Sequence, residues 1–279
     1  MNKILKNNSS SSDSNKANWS MEILPVNFSL ISKIPSFVKE IYITMIPGGN
    51  WKETLDVAQK VQSSGREAIP HIAARSLKAI KELEDCLSGF LDFEIKKVLL
   101  IGGGQNKPEG EFNCVMDMLK TGLFSKYKIN SIDYAGHPEG NPDDPNSENN
   151  LIEKLNWSDE NGIKSRIITQ WCFDTETANK WILKLREKGI NTPIHIGIPG
   201  PSTLKTLMRF AKVCGVKAST TVLKKQGLNI SKLMFVSKPD KIISQLKGYK
   251  QLHLYPFGGI EKSSEWLHNW IQSNRLEMS

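Results

Sequence analysis

The sequence predicts a single-domain α/β protein, a (β/α)8 TIM barrel, and three observations lead to this fold class. The chain has 279 residues, which suits such a barrel because the fold typically needs roughly 250 residues. Short, nearly continuous apolar segments alternate with segments of helical periodicity, which is the pattern of parallel βαβ units. Eight apolar segments occur, whereas an open dinucleotide-binding sheet usually has about six strands.

The predicted strands are four to seven residues long and rich in β-branched and aromatic residues. They are expected to form a parallel sheet that is buried on both faces. In chain order the strands are Trp19–Leu24, Glu40–Ile46, Ala68–Ala73, Lys97–Ile101, Asn130–Tyr134, Arg166–Cys172, Pro193–Ile198 and Gln251–Leu254.

Helices are predicted where apolar residues recur at i, i+3 and i+4 between the strands. The well-defined helices are Phe28–Val38, Trp51–Ser63, Ser76–Phe90, Phe112–Leu123, Glu148–Leu155, Thr175–Lys188 and Ser202–Val213. A weaker pair before the eighth strand comprises Ile230–Phe235 and Lys238–Leu246, and Ser263–Asn274 closes the chain. The stripe of Trp266 and Trp270 on that last helix either packs on the barrel or makes a subunit contact.

The first 18 residues differ in composition from the rest of the chain. They are polar and rich in Ser and Asn, so they cannot bury enough apolar surface to offset the entropy of ordering. We expect residues 1–18 to form a flexible tail and residues 19–279 to form the catalytic barrel. The apolar run ILK is too short for a signal peptide, and no stretch approaches the ~20 apolar residues of a membrane span. A cytoplasmic protein is therefore expected, with no contact to a membrane.

Charge and cysteine content exclude several functional classes. The formal net charge is +8, but Lys and Arg are scattered, so we expect a solvated surface or a site for a small polyanion rather than nucleic acid. No CxxC pair occurs, which argues against a disulfide scaffold or a zinc site. His137 and Glu139 share a loop without further ligands at the usual spacing, so no metal is expected. The four widely spaced cysteines are Cys86, Cys114, Cys172 and Cys214.

Gly- and Pro-rich sequences follow most of the predicted strands. The chain reads IPGGN after the second strand, GGGQNKPEG after the fourth, GHPEGNPDDP after the fifth, GIPGP at the seventh and YPFGG after the eighth. Such loops lie on the C-terminal face of a TIM barrel, where active sites are built. The sequence IGGGQ matches neither the dinucleotide fingerprint nor the P-loop, so we interpret it as a place where the backbone approaches a ligand closely.

Three of the polar residues within the predicted strands are candidates for a functional site. Glu22 follows an apolar residue in WSMEILP, and an unpaired buried charge costs several kcal/mol. It therefore either points into the barrel mouth with a partner or lies at the surface of a strand end. Burial there would raise its pKa, which suits a general acid. His71 is either a structural or a site histidine, and the amide of Gln170 can offer a paired donor and acceptor to a flat heterocycle.

Five motifs lie in register on these strands, namely MEILP, PHIAAR, AGHPEGNP, ITQWCFD and GIPGP. In this order and spacing they resemble the methylenetetrahydrofolate reductase family, most closely its short bacterial branch that consists of the catalytic barrel alone. The resemblance runs from about Trp19 to about Asn269. It implies noncovalent FAD, NAD(P)H as co-substrate, and tetrahydrofolate derivatives as partners, with 5,10-methylenetetrahydrofolate reduced to 5-methyltetrahydrofolate for methionine synthesis. A folylpolyglutamate tail would be a polyanion of the kind that the positive charge favours.

The resemblance also implies roles for individual residues. Glu22 corresponds to the general acid that helps open the methylene bridge, because N10 must leave as an amine. Gln170 corresponds to a contact of pterin and nicotinamide, Tyr255 lies near the substrate, and Gly104 stands at a position near the flavin and pterin rings. The positions that correspond to flavin contacts are Thr44, His71, Gly102, Gly103, Ala135, His137 and Asn141.

Several positions depart from the pattern of the family. Many relatives have Arg-Gly-Asp where this chain has Gly102–Gly104, and an expected arginine is replaced by Gly259. His137 and Asn141 also stand where tyrosine and histidine are frequent. A charge-assisted hydrogen bond contributes roughly 1.5–3 kcal/mol, so one loss weakens a ligand by about tenfold or more. A flavin-independent reaction, with direct hydride transfer from the nicotinamide, is therefore an alternative.

Two further functions stay open at the level of the sequence. The same enzyme can run oxidatively within a demethylation pathway, or the chain can be a paralogue that binds folate without hydride transfer. The glycines at positions 102–104 favour the paralogue, whereas Glu22 and Gln170 argue against it because a pure binder needs no acid. The choice between NADH and NADPH, and between a monomer and a homo-oligomer, is also open.

Overall fold

The structure is a computed structural model that describes residues 18–46, 48–172, 174–213, 236–237 and 239–276. Eight parallel strands close into a barrel, which confirms the predicted fold class. The barrel strands are β1 Trp19–Ile23, β2 Glu40–Ile43, β3 Glu67–Ala73, β4 Lys97–Ile101, β5 Ser131–Gly136, β6 Lys164–Trp171, β7 Ile194–Pro199 and β10 Gln251–Tyr255. Two short strands, β8 Ser202–Thr203 and β9 Val236–Ser237, pair antiparallel with each other.

Helices follow the strands and cover the outside of the barrel. They are α1 Trp51–Ser63, α2 Ile80–Asp92, α3 Val115–Leu119, α4 Leu123–Lys126, α5 Ser147–Glu160, α6 Thr175–Glu187, α7 Leu204–Val213, α8 Asp240–Gln245 and α9 Ile260–Leu276, with 3₁₀ helices at Pro25–Lys33 and Ala74–Ser76. Asn50 caps α1 and Asp174 caps α6, since each side chain accepts a hydrogen bond from the backbone of the first turn. No helix among these residues is long and apolar enough to cross a membrane.

Some helix predictions were wrong in type or extent, for local reasons. The segment predicted as Phe28–Val38 is the 3₁₀ helix Pro25–Lys33, and Pro35 disfavours helical backbone in the residue before it. The segment predicted as Phe112–Leu123 is split into α3 and α4, because Gly122 adopts a left-handed φ of 72°. Other boundaries also moved: α2 begins at Ile80, α5 extends to Glu160, α7 begins after β8, α8 is shorter than predicted, and α9 begins at Ile260.

Two predictions fall outside the described residues. The weak helix Ile230–Phe235 and nearly all of the polar tail belong to this group, so both stay predictions. The aromatic stripe of α9 is described, and it packs on the barrel. Trp266 and Trp270 meet Trp19 of β1 edge to face, with ring centroids 5.8 and 5.4 Å apart respectively.

The barrel interior contains an apolar layer between two polar layers. Alternate residues of each strand point inward, and the middle layer consists of Tyr42, Ile69, Leu99 and Ile168. The C-terminal layer contains Glu22. The N-terminal layer is an ion network at the starts of the strands.

Arg166 of β6 is the centre of that ion network. Its Nε donates to Asp133 Oδ1 at 2.8 Å, its Nη2 donates to Oδ2 at 2.7 Å, and its Nη1 donates to Glu40. The hydroxyl of Tyr42 donates to the same Asp133 at 2.6 Å. Burial raises the pKa of Glu40, but Arg166 and a hydrogen bond from Gln251 outweigh burial and lower this pKa to about 2. The network joins β2, β5, β6 and β10 across the barrel.

Candidate active site

Glu22 lies at the C-terminal end of the barrel interior, near the end of β1. Its Oε1 accepts a hydrogen bond of 2.7 Å from the Thr44 hydroxyl, which follows β2. Its Oε2 lies 3.4 Å from His253 Nε2 and 3.7 Å from His71 Nε2. The side chain is 16% exposed. The carboxylate is therefore buried with partners and still accessible from the mouth, as one of the two sequence interpretations required.

The expected rise in the pKa of Glu22 was wrong. Burial does raise this pKa, but the hydrogen bond with His253, the proximity of His71 and the hydrogen bond from Thr44 together outweigh burial. The resulting pKa lies below the ordinary value of 4.5. Glu22 is therefore ionised at neutral pH in the absence of a ligand, so any acid role requires it to acquire a proton in the bound state.

His253 is a member of this cluster that the sequence analysis missed. It lies opposite Ser20 in the β1–β10 register, and its Nδ1 is 2.9 Å from the Ser20 hydroxyl oxygen. The ring is fully buried and meets Tyr42 and Tyr255 edge to face, with centroids 4.7 and 4.8 Å away. One signal was available: His253 stands two residues before Tyr255, and residues at this spacing share a strand face.

His71 contributes a buried imidazole to the same cluster. It is 5% exposed, and neither ring nitrogen has a hydrogen bond among the described residues. Burial lowers its pKa to about 4, although Glu22 acts in the opposite direction. The ring is therefore neutral at pH 7. A buried ring with unsatisfied nitrogens at the barrel mouth is suited to contact a ligand.

A β-bulge in β6 lies at Gln170. The pairing of β6 with β7 shifts register between Ile168 and Trp171, and bulges are common next to active sites. The Thr169 hydroxyl accepts a hydrogen bond from Gly197 N at 2.8 Å, and its carbonyl accepts one from the Tyr255 hydroxyl at 3.0 Å. Gln170 itself is half-buried. The bulge thus links Gln170 and Tyr255 through the intervening threonine.

The other predicted site residues lie in the loops after β4 and β5. Gly102 and Gly103 are half-buried and Gly104 is exposed, and Arg75 donates a hydrogen bond to the Gly103 carbonyl. The half-buried residues after or at the end of β5 are Ala135, His137 and Asn141. No hydrogen bond or ring contact in the described part of the chain joins them to Glu22 or Gln170. Burial lowers the pKa of His137 to about 4.

Because His71 and His195 are buried, we predict that the protein loses stability in mild acid. Burial lowers the pKa of His71 to about 4 and that of His195 to about 3. The pKa of histidine in the unfolded chain is about 6.5. Below that pH the unfolded chain binds more protons than the native protein, so the free energy of unfolding decreases as the pH is lowered. Each ring should contribute about 1.4 kcal/mol per pH unit between its two pKa values.

Urea unfolding at pH 7.5, 6 and 5 measures this slope. His195→Asn should make the slope shallower, whereas His268→Asn, at an exposed position of α9, should leave it unchanged. A free energy of unfolding that stays constant from pH 7.5 to 5 would contradict the assignment of neutral buried rings.

The fold and the Glu22 cluster together define a TIM-barrel protein with a buried carboxylate at the C-terminal mouth. Among the described residues, no group of three or more His, Cys, Asp and Glu is arranged to hold a metal ion. The sequence profile of the methylenetetrahydrofolate reductase family matches residues 18–251. The match covers most of the chain, and the protein therefore belongs to the methylenetetrahydrofolate reductase family.

Individual relatives agree with this assignment. Methylenetetrahydrofolate reductase (NADH) 1 of Arabidopsis thaliana is 30% identical over 205 residues, which cover 67% of this chain and 34% of the plant protein. The probable methylenetetrahydrofolate reductase (NADH) of Oryza sativa subsp. japonica is 27% identical over 252 residues, covering 80% of this chain and 41% of that protein. The chain thus matches less than half the length of these relatives.

A solved structure supports the fold alone. It is an uncharacterized protein from Clostridium thermocellum that binds two copies of 5-methyl-5,6,7,8-tetrahydrofolic acid. The two structures superpose with a TM-score of 0.58 at 12% sequence identity, over 93% of this chain and 96% of the other.

Proposed function

We propose that this protein interconverts 5,10-methylenetetrahydrofolate and 5-methyltetrahydrofolate with a reduced nicotinamide as the hydride source. The observation that carries the proposal is the Glu22 carboxylate, which is held by Thr44 and flanked by two histidines inside a barrel of this family. NADH is the reductant we propose, because the plant relatives are named as NADH enzymes. The solved Clostridium thermocellum barrel binds the methylated product of this reaction.

Glu22 is the proposed general acid. Opening the methylene bridge gives an iminium and requires a proton at N10, which leaves as an amine. The pKa of Glu22 is low without ligand, but a bound pterin would exclude water from the mouth, and loss of water stabilises the protonated carboxyl. The proton would be held at Oε2, on the side of His253 Nε2. Thr44 fixes the other oxygen, so the carboxyl group keeps its orientation.

Gln170 and Tyr255 are the proposed substrate-binding residues, with Gly104 at the edge of the site. The Gln170 amide offers a donor and an acceptor, which match the paired donors and acceptors of a pterin ring. Tyr255 is oriented by its hydrogen bond to the Thr169 carbonyl and by its ring contact with His253. Both residues would hold the pterin against the proton donor and exclude water.

The residues at the mouth fit a flavin. His71 of β3 has no hydrogen bond at its ring nitrogens among the described residues, and Arg75, in the 3₁₀ helix after the same strand, brings a positive charge beside the backbone of Gly102 and Gly103. We propose that FAD is held by Thr44, His71, Gly102, Gly103, Ala135, His137 and Asn141. A flavin would supply a two-electron carrier between the nicotinamide and the folate.

An anaerobic assay of the purified protein tests this function. With NADH and 5,10-methylenetetrahydrofolate we expect one 5-methyltetrahydrofolate, quantified by chromatography, for each NADH oxidised. The visible bands of oxidised flavin should be present, should disappear on addition of NADH, and should return with substrate. Turnover without these bands would instead establish direct hydride transfer from the nicotinamide.

Two other outcomes separate the remaining alternatives. Folate binding without oxidation of NADH or NADPH would contradict the proposal and indicate a paralogue that only binds. Faster turnover of 5-methyltetrahydrofolate with an artificial electron acceptor than of the forward reaction would indicate that the enzyme works in the oxidative direction.

A further inference from the structure

Arg75 lies between two loops at the C-terminal rim of the barrel. It belongs to the 3₁₀ helix after β3, and its backbone N–H donates to the Gly102 carbonyl at 3.0 Å. Its own carbonyl accepts a hydrogen bond from Glu109 N at 2.9 Å. Ser76 next to it is linked to Gln105 of the β4–α3 loop by a side-chain hydrogen bond of 2.9 Å. The backbone around Arg75 is therefore fixed by hydrogen bonds with the β4–α3 loop.

The guanidinium of Arg75 lies within van der Waals contact of the position that a Cβ atom at residue 102 would take. A Cβ atom built on Gly102 would lie 3.4 Å from Arg75 Nη2 and 3.7 Å from its Cζ. The same guanidinium donates to the carbonyl of Gly103, which has a φ of 93°. The guanidinium of Arg75 therefore lies directly beside the backbone of residues 102 and 103.

Arg75 has no anionic partner in the described part of the chain. No carboxylate lies within ion-pair distance of its nitrogens there, and its Nε is buried without an acceptor. A guanidinium has five N–H donors, and leaving buried donors unpaired is unfavourable. Gly104 in the neighbouring loop is exposed and carries no side chain. The guanidinium of Arg75 therefore places a positive charge at the rim, and its Nε–H has no acceptor among the described residues.

We propose that Arg75 binds the diphosphate of the dinucleotide that this barrel uses, supplying the positive charge that position 102 lacks. The planar fork of a guanidinium matches two phosphate oxygens, which favours a diphosphate over a single point contact. The inference rests on the proposed function, since that function defines a dinucleotide as the partner of the site. The diphosphate can come from a flavin or from a nicotinamide dinucleotide.

Binding measurements on Arg75→Ala test the proposal. The probes are FAD, riboflavin, NADH and tetrahydrofolate, each followed by calorimetry or fluorescence. We expect about tenfold to a hundredfold weaker binding of the dinucleotide that carries the diphosphate, with riboflavin and tetrahydrofolate unchanged. A loss confined to FAD assigns the contact to the flavin, and a loss confined to NADH assigns it to the nicotinamide dinucleotide. Unchanged dinucleotide affinity, or a loss confined to tetrahydrofolate, overturns the proposal.

Three further variants separate charge from packing. Arg75→Lys should show an intermediate loss, because an ammonium cannot form the paired contact. Lys78→Gln removes an exposed positive charge from the same loop and should change affinity by less than about twofold, since salt screens exposed charges. Arg75→Ala combined with Gly102→Arg moves the charge to the neighbouring loop and should restore dinucleotide binding. Equal weakening of all four probes, together with a lower thermal midpoint, overturns the proposal in favour of a packing role.

The test is independent of turnover. If the wild-type protein forms no 5-methyltetrahydrofolate but its dinucleotide affinity depends on Arg75, only the proposed function fails. If turnover is present and Arg75→Ala binds each probe as the wild type does, only the role of Arg75 fails.

Discussion

Replacing Glu22 with glutamine is expected to lower turnover by about 10²- to 10⁴-fold, the usual contribution of a positioned general acid. Glutamine keeps the size of the side chain and can still accept the hydrogen bond from Thr44, but it cannot deliver a proton to N10. Affinity for NADH and for tetrahydrofolate should change little, because the loss concerns the transition state. Steady-state kinetics with binding titrations of both ligands measure the two effects separately.

Glu53→Gln is the matched control for this substitution. Glu53 lies exposed in the first turn of α1, so the same chemical change there should leave turnover as it is. Unchanged turnover in Glu22→Gln would remove this residue from the mechanism and leave the proton donor unassigned.

The pH dependence of the wild type should carry the signature of a carboxyl group whose pKa rises on binding. The profile of kcat/KM reports the free protein, in which the hydrogen bonds with His253 and Thr44 hold the pKa of Glu22 below 4.5. The profile of kcat reports the complex, in which exclusion of water raises this pKa. An acid that must be protonated should therefore lose kcat at a higher pH than it loses kcat/KM.

Replacing Arg166 with methionine is expected to destabilise the fold by about 3–5 kcal/mol. Methionine fills a similar volume but leaves Asp133, which is 0% exposed, as a buried charge without its cation, while Glu40 keeps Lys97 as a cation, whose Nζ lies 3.5 Å from its Oε1. Urea unfolding at pH 7 measures the change in the free energy of unfolding. Adding Asp133→Asn to this variant should recover part of the loss, because the uncompensated buried charge of Asp133 is then removed.

Lys180→Met provides the comparison at the surface. The Lys180–Glu176 pair has the same kind of short contact, 2.6 Å, but both side chains are about three-quarters exposed. Breaking an exposed pair changes stability by roughly 0–1 kcal/mol. Similar free energies of unfolding for Arg166→Met and Lys180→Met would show that the ion network does not stabilise the barrel.

The barrel was predictable because its strands are short apolar runs and its helices are amphipathic, both of which are local patterns. Local sequence also contained the reason for one error, since Gly122 breaks the helix that the apolar period favoured. The candidate site was harder to predict from the sequence. Glu22 attracts attention as a charge within an apolar strand, but its contact with His253 joins residues 231 positions apart, and only closure of the barrel brings β1 beside β10.

The direction of the pKa shift of Glu22 was missed for the same reason. Burial is visible from the apolar neighbours in the sequence, whereas the hydrogen bonds that outweigh it come from two other strands. Arg75 was also overlooked. Its relation to Gly102 depends on the way two loops pack, and the sequence shows only that the arginine and the glycine follow successive strands.

Tyr42 gives the layered interior a mechanical consequence. Its hydroxyl is bonded to Asp133 of the ion network, and its ring contacts His253 beside Glu22. A change in the ion network at the N-terminal end of the barrel can therefore be transmitted to the surroundings of Glu22, the proposed proton donor, through the single side chain of Tyr42. The loops around the mouth can vary to accept a different ligand. The position of Glu22, in contrast, depends through Tyr42 on an intact ion network at the N-terminal end of the barrel.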